Sequence, residues 1–174
     1  MDSVPSTVFG FADDAAQAER IVEQLRSAAF PSGAISVLLP AAGEIADGLD
    51  DGTSTKAPEG AVAGVGTGGL IGGALGWLTG IGALAIPGLG PFIAAGPLMT
   101  ALSGAAVGAT VGGVAGGLVG LGLPDPDTER YESQLRAGRI LVSVRATTPA
   151  GVEAAQRIFA DNGAHEVSAT SEPR

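Results

Sequence analysis

With 174 residues, 45% of them apolar and only 4% aromatic, the chain has room for one domain plus an insertion. Its net charge of −9, with no basic cluster, excludes the electrostatic footprint of a nucleic-acid binder and argues against simple docking on anionic lipid. The absence of cysteine excludes disulfides, iron–sulfur clusters and a thiol nucleophile.

The first residues, Met1 to Pro5, lack the basic and apolar regions of a secretory signal. Thr7–Phe11 is a short apolar run and predicts a strand. Asp13 reads as the N-cap of a helix to Ala29, whose buried stripe is Ala18, Ile21, Val22 and Leu25. Pro31-Ser32-Gly33 ends it, and Ala34–Leu39 predicts a second strand. Residues 1–40 thus read as one β-α-β half. A polar linker, 41–59, follows with Glu44, Asp47, Asp50 and Asp51. These acids lack the spacing of a calcium loop, since the third position from Asp47 is Leu49 and the twelfth is Pro58.

From Gly60 to Pro124 the chain carries no Asp, Glu, Lys, Arg or His. Glycine recurs every fourth residue in two series. The first is Gly60, Gly64, Gly68, Gly72, Gly76 and Gly80; the second is Gly104, Gly108, Gly112, Gly116 and Gly120. Residues four apart lie on one helix face, so each series makes a smooth ridge where another backbone can approach closely. The intervening Ile86-Pro87-Gly88-Leu89-Gly90-Pro91 punctuates the two. The pattern predicts a glycine-zipper helical hairpin over 60–124, with helices Ala61–Leu84 and Pro97–Leu123. Each exceeds the ~20 residues that a hydrocarbon core requires. Glycine adds nothing to insertion energy, and the first helix has few large apolar residues, so a preassembled hairpin or an oligomer is the expected membrane form.

Beyond the zippers, Pro124-Asp125-Pro126-Asp127 starts a helix, Thr128–Ala137, ended by Gly138. Arg139–Ala146 predicts a strand. Thr148-Pro149 opens a helix with Val152, Ala155, Ile158 and Phe159 on one face and Asn162-Gly163 at its end. Glu166–Ala169 predicts the last strand. Residues 125–174 therefore add a helix and repeat the β-α-β pattern of 1–40. The fold class expected is α+β: a ferredoxin-like split β-α-β sandwich, helices on one face of a four-stranded antiparallel sheet, with the zipper hairpin inserted between its second and third strands. The two halves meet in one sheet only if both hairpin ends lie on the same side of a bilayer, which an even number of spans allows.

The runs TVFGFADDAAQAERIVEQLRSAAFPSGAISVLLP, GALAIPGLGPFIAAGPL and DTERYESQLRAGRILVSVRA resemble a family of uncharacterised bacterial glycine-zipper proteins, whose ends are similar to the general stress (YflT-like) domain. The resemblance covers nearly the whole chain and implies a ferredoxin-like fold, a stress or envelope context, and no established catalytic residue.

Residues that could carry chemistry are few. His165 is the sole histidine, and without cysteine it has no metal set to join. Ser36, Ser143 and Ser168 alternate with apolar residues in strands, which predicts that they face solvent or a partner. Gly64-Val65-Gly66-Thr67-Gly68-Gly69 imitates a dinucleotide fingerprint but lacks the preceding strand and the acid about 20 residues on. No catalytic, cofactor or metal residue is expected. The function expected is a non-enzymatic, membrane-associated, self-assembling protein, in a stress context, oligomerising through Gly64, Gly68, Gly72, Gly76, Gly80, Gly104, Gly108, Gly112, Gly116 and Gly120. Its partners would be itself, the lipid bilayer and other membrane proteins, at the inner membrane with the domain cytoplasmic. The alternative is a cytoplasmic structural protein that buries its zippers inside an oligomer, filament or shell.

Overall fold

The computed structural model describes residues 5–40, 78, 82–86, 90–97 and 128–171. The described elements are β1 (Ser6–Ala12), α1 (Ala15–Ser27), a short 3-10 turn (Ser32–Ala34), β2 (Ile35–Pro40), β3 (Gly82–Ile86), β4 (Gly90–Ala95), α2 (Thr128–Arg136), β5 (Ile140–Ala146), α3 (Pro149–Asp161) and β6 (His165–Ser171). The class is α+β. All described strands form one antiparallel sheet in the order β3-β4-β2-β5-β1-β6.

Local chemistry accounts for the helix boundaries. Asp14, not Asp13, caps α1: its Oδ1 accepts the Gln17 N–H at 2.7 Å. Asp13 is released for another role. Thr148 caps α3 through Gly151 N–H at 3.1 Å, with Pro149 pre-set at the first helical position. Each helix ends in a left-handed residue, Ala29 (φ 65°), Gly138 (φ 85°) and Gly163 (φ 73°), and the next N–H returns to a carbonyl five residues back. Ala29 bears the strain that glycine avoids at the other two.

The strand alternation sends side chains to two faces. On the first, Val8, Ala12, Ile35, Val37, Leu39, Ile140, Val142, Val144, Ile93 and Ala95 pack with Ala18, Ile21, Val22 and Leu25 of α1 and Ala155 and Phe159 of α3. Leu78 joins this same cluster. On the second lie Phe9, Phe11, Ser36, Leu38, Phe92, Ala94 and Leu141, all buried. Tyr131 of α2 meets Phe9 edge-on at 5.3 Å between ring centroids and stacks on Phe11 at 5.7 Å. The helices of the two β-α-β halves, α1 and α3, share the first face, and the additional helix α2 lies on the opposite one. Ser36 likewise is buried under the second face and does not face solvent.

The larger correction concerns the uncharged segment. Residues 82–86 and 90–95 are not a helix end and an interhelical turn. They are a β-hairpin, Gly82↔Ala94 to Ile86↔Gly90, whose second strand pairs with β2 from Val37↔Ala95 to Pro40↔Phe92. Phe92, Ile93, Ala94 and Ala95 are buried where β4 covers the otherwise open edge of β2. The chain continues to Gly96, in the left-handed region at φ 78°, and to Pro97, which is helical. The linker, Trp77 and both glycine series lie outside the described residues.

Candidate functional site

The antiparallel register brings three strand ends together at one end of the sheet. Ala12, the last residue of β1, is level with Ile140, the first of β5, and Phe11 is level with His165, the first of β6. Asp13 follows β1 directly, and Arg139 precedes β5. Asp13 Oδ1 accepts Arg139 Nε–H at 2.9 Å, and its Oδ2 lies 2.9 Å from His165 Nε2. The Arg139 guanidinium also donates to Gln134 of α2. Gln17 of α1 is nearly buried beneath this group: its Oε1 accepts Asp13 N–H at 2.7 Å and its Nε2 donates to the Asn162 carbonyl at 2.7 Å. Asn162 and Gln24 exchange side-chain amide bonds at 3.0 and 3.3 Å. Thus one polar patch ties together β1, α1, α2, β5, α3 and β6.

A bulge positions the histidine. Between Phe9↔Ser168 and Phe11↔His165 the edge strand β6 holds two residues, Glu166 and Val167, against Gly10 alone. Glu166 takes the left-handed conformation there, φ 56°, and its carboxylate pairs with Arg130 of α2. A non-glycine residue in this region stores on the order of 1 kcal/mol, offset here by the ion pair and the completed edge.

The hydrogen bond with His165 is the largest cause holding the Asp13 carboxyl below its ordinary pKa; Arg139 adds to it and desolvation opposes it. A depressed folded-state pKa gives stability that is present above the ordinary carboxylate range and disappears as pH falls through the depressed value. Asp13→Asn is therefore expected to melt below the parent protein at pH above the ordinary carboxylate range, with the two curves converging as pH falls below it. Melting temperatures across that range check it, and parallel curves would deny the pair any linkage.

The chemistry of this patch is that of a clasp. All three side chains are substantially exposed, and both carboxylate oxygens of Asp13 are committed, one to the Arg139 guanidinium and one to the His165 ring N–H. Exposed pairs of this kind hold strand ends in register and contribute little more. Among the described residues no group of three or more His, Cys, Asp or Glu side chains could hold a metal ion, and no helix is long and apolar enough to cross a membrane. Gly64, Gly68, Gly72, Gly76, Gly80, Gly104, Gly108, Gly112, Gly116 and Gly120 lie outside the described residues. Of the sequence candidates the structure brings His165 into a cluster, opposes Ser36 to Ser143 across β2 and β5, and sets Ser168 against Phe9 on β6. Asp13 and Arg139 were missed as a pair. Their signal lay in topology: in a split β-α-β arrangement the end of the first strand meets the starts of the third and fourth.

Comparison of the chain with protein-family models, with curated proteins and with solved structures found no match.

Proposed function

We propose that the chain is a non-enzymatic, self-associating structural protein whose folded ends form a ferredoxin-like domain and whose two glycine series join copies together. The ferredoxin-like assignment is supported by the order β2-β5-β1-β6 with α1 and α3 on one face. Self-association is supported by the two period-four glycine series in an uncharged segment. The resemblance to stress-domain proteins adds a stress context to the same proposal.

The hairpin of β3 and β4 on the edge of β2 supports a soluble setting over a membrane one. Pro40 and Gly82 flank the first glycine series, and both belong to one sheet, with only β4 between β2 and β3, a separation of about 10 Å. A single crossing by 60–80 would part them by the ~30 Å of a hydrocarbon core. Two crossings would need about 40 apolar residues, which this segment lacks. Leu78 buried in the core cluster of the first face adds to the constraint. The short span between Pro40 and Gly82 favours zippers buried in a soluble assembly over a two-span hairpin.

Cell fractionation followed by alkaline carbonate extraction tests this. The protein is expected in the extract. Retention in the carbonate-washed pellet, resistant until detergent is added, would reinstate the bilayer as its partner.

A further inference from the structure

We infer that Asn162 is a modification site, a centre of spontaneous deamidation that the fold holds shut at the junction of α1, α3 and β6. It is the chain's only asparagine, and glycine follows it. Asparagine is a thermolabile residue type, and a following glycine leaves the next peptide nitrogen unshielded by a Cβ. The reaction needs no enzyme. The Gly163 peptide nitrogen gives up its proton and bonds to Asn162 Cγ; the Cγ–Nδ2 bond breaks and Nδ2 leaves as ammonia. Water then opens the cyclic imide at either carbonyl, giving aspartate or an isoaspartate whose main chain is longer by a methylene.

Both reacting groups are committed elsewhere in the folded chain. Asn162 closes α3 with φ −91° and ψ 3°, and Gly163 follows at φ 73°. The leaving nitrogen, Nδ2, donates to the Ile158 carbonyl at 2.8 Å and to Gln24 Oε1 at 3.0 Å. The attacking Gly163 nitrogen donates its proton to the Ala160 carbonyl at 2.9 Å. Ring closure therefore requires the side chain to swing off Ile158 and Gln24 and the Gly163 N–H to come free. These bonds lie at a helix end, where local opening costs least, and Gly163 is exposed, so water reaches the imide once it forms.

Modification has structural consequences. A carboxylate at 162 cannot donate to the Ile158 carbonyl or to Gln24, and it adds negative charge beside Asp161 at the negative end of α3. Isoaspartate also displaces the 162 carbonyl that holds Gln17, whose Oε1 accepts the Asp13 N–H. The loss thereby reaches the Asp13 clasp, and the altered residue is a permanent record that this junction has opened.

Peptide mapping by mass spectrometry after timed incubation of the full chain tests this. Cleavage after Arg157 releases 158–174, whose only side-chain amide is Asn162, so the mass gained when an amide becomes a carboxyl reports this site alone. The native protein is expected to deamidate at least about tenfold more slowly than the same chain in denaturant. Gln24→Ala, at an exposed position of α1, should raise the native rate about threefold or more and leave the rate in denaturant unchanged. Ile35→Val is the control: it loosens the buried core on β2 without touching the Asn162 bonds, and its native rate should stay near the parent's. Equal rates in native buffer and denaturant, a Gln24→Ala rate no higher than the parent's, or equal acceleration by Ile35→Val would overturn the assignment.

Discussion

Gly96→Ala is expected to cost roughly 3–5 kcal/mol and to lower the melting temperature by about 10 °C or more. Gly96 has φ 78°, and a Cβ there would stand 2.1 Å from the Ile35 carbonyl oxygen and 3.1 Å from Ser36 Cα. Both obstacles are backbone, within the strand that β4 pairs with, so no rotamer change can relieve them. Gly138→Ala is the control: its φ is 85°, but nothing lies within 4 Å of the added carbon, so only the left-handed penalty of about 1 kcal/mol applies. Thermal melts of the two variants separate the clash from the torsion. Equal losses would mean that β4 does not turn tightly past β2.

Phe159→Ala is expected to destabilise by about 3–5 kcal/mol, the range for removing a fully buried aromatic. The ring of Phe159 lies over Gly10, where an added Cβ would meet Cδ1 at 2.9 Å. Strand β1 thus supplies a notch at the bulge opposite Glu166, and α3 fills it. Gly10→Ala should cost about 1–3 kcal/mol by overpacking. Combined with Phe159→Leu, which opens the notch, its cost should shrink, giving a coupling readable in a double-mutant cycle by denaturant titration. Strict additivity would show that the two residues do not share the site.

The flanking elements were legible because each carries its own period and punctuation. Ile21, Val22 and Leu25 repeat at helical spacing after Asp13-Asp14, and Ile140 to Val144 alternate after Gly138. What was ambiguous there was small: two adjacent acids, of which the second caps the helix and the first closes the clasp. The segment 82–95 misled for a physical reason. Glycine at every fourth position up to Gly80 supports a helical period, and no charge or proline interrupts it before Pro87, so the helix was extended through Leu84. The competing signal, two apolar runs of strand length around Pro87-Gly88-Leu89, depended on an open edge at β2 that only the assembled sheet supplies. Ser36 misled similarly: alternation gives the face but not whether that face is covered. The Asp13, Arg139 and His165 cluster joins residues 126 and 152 positions apart and needed register before composition could mean anything.

Self-association through the glycine series is the central claim, and native mass measurement in detergent-free buffer tests it most directly. The parent protein is expected as a discrete oligomer of its 16.9 kDa chain. Gly72→Leu and Gly112→Leu place a branched side chain on the ridge of each series and should shift the mass toward monomer, while Asp50→Asn in the acidic linker should leave it unchanged. A monomeric parent protein, or both leucine variants at the parent's oligomeric mass, would contradict the claim.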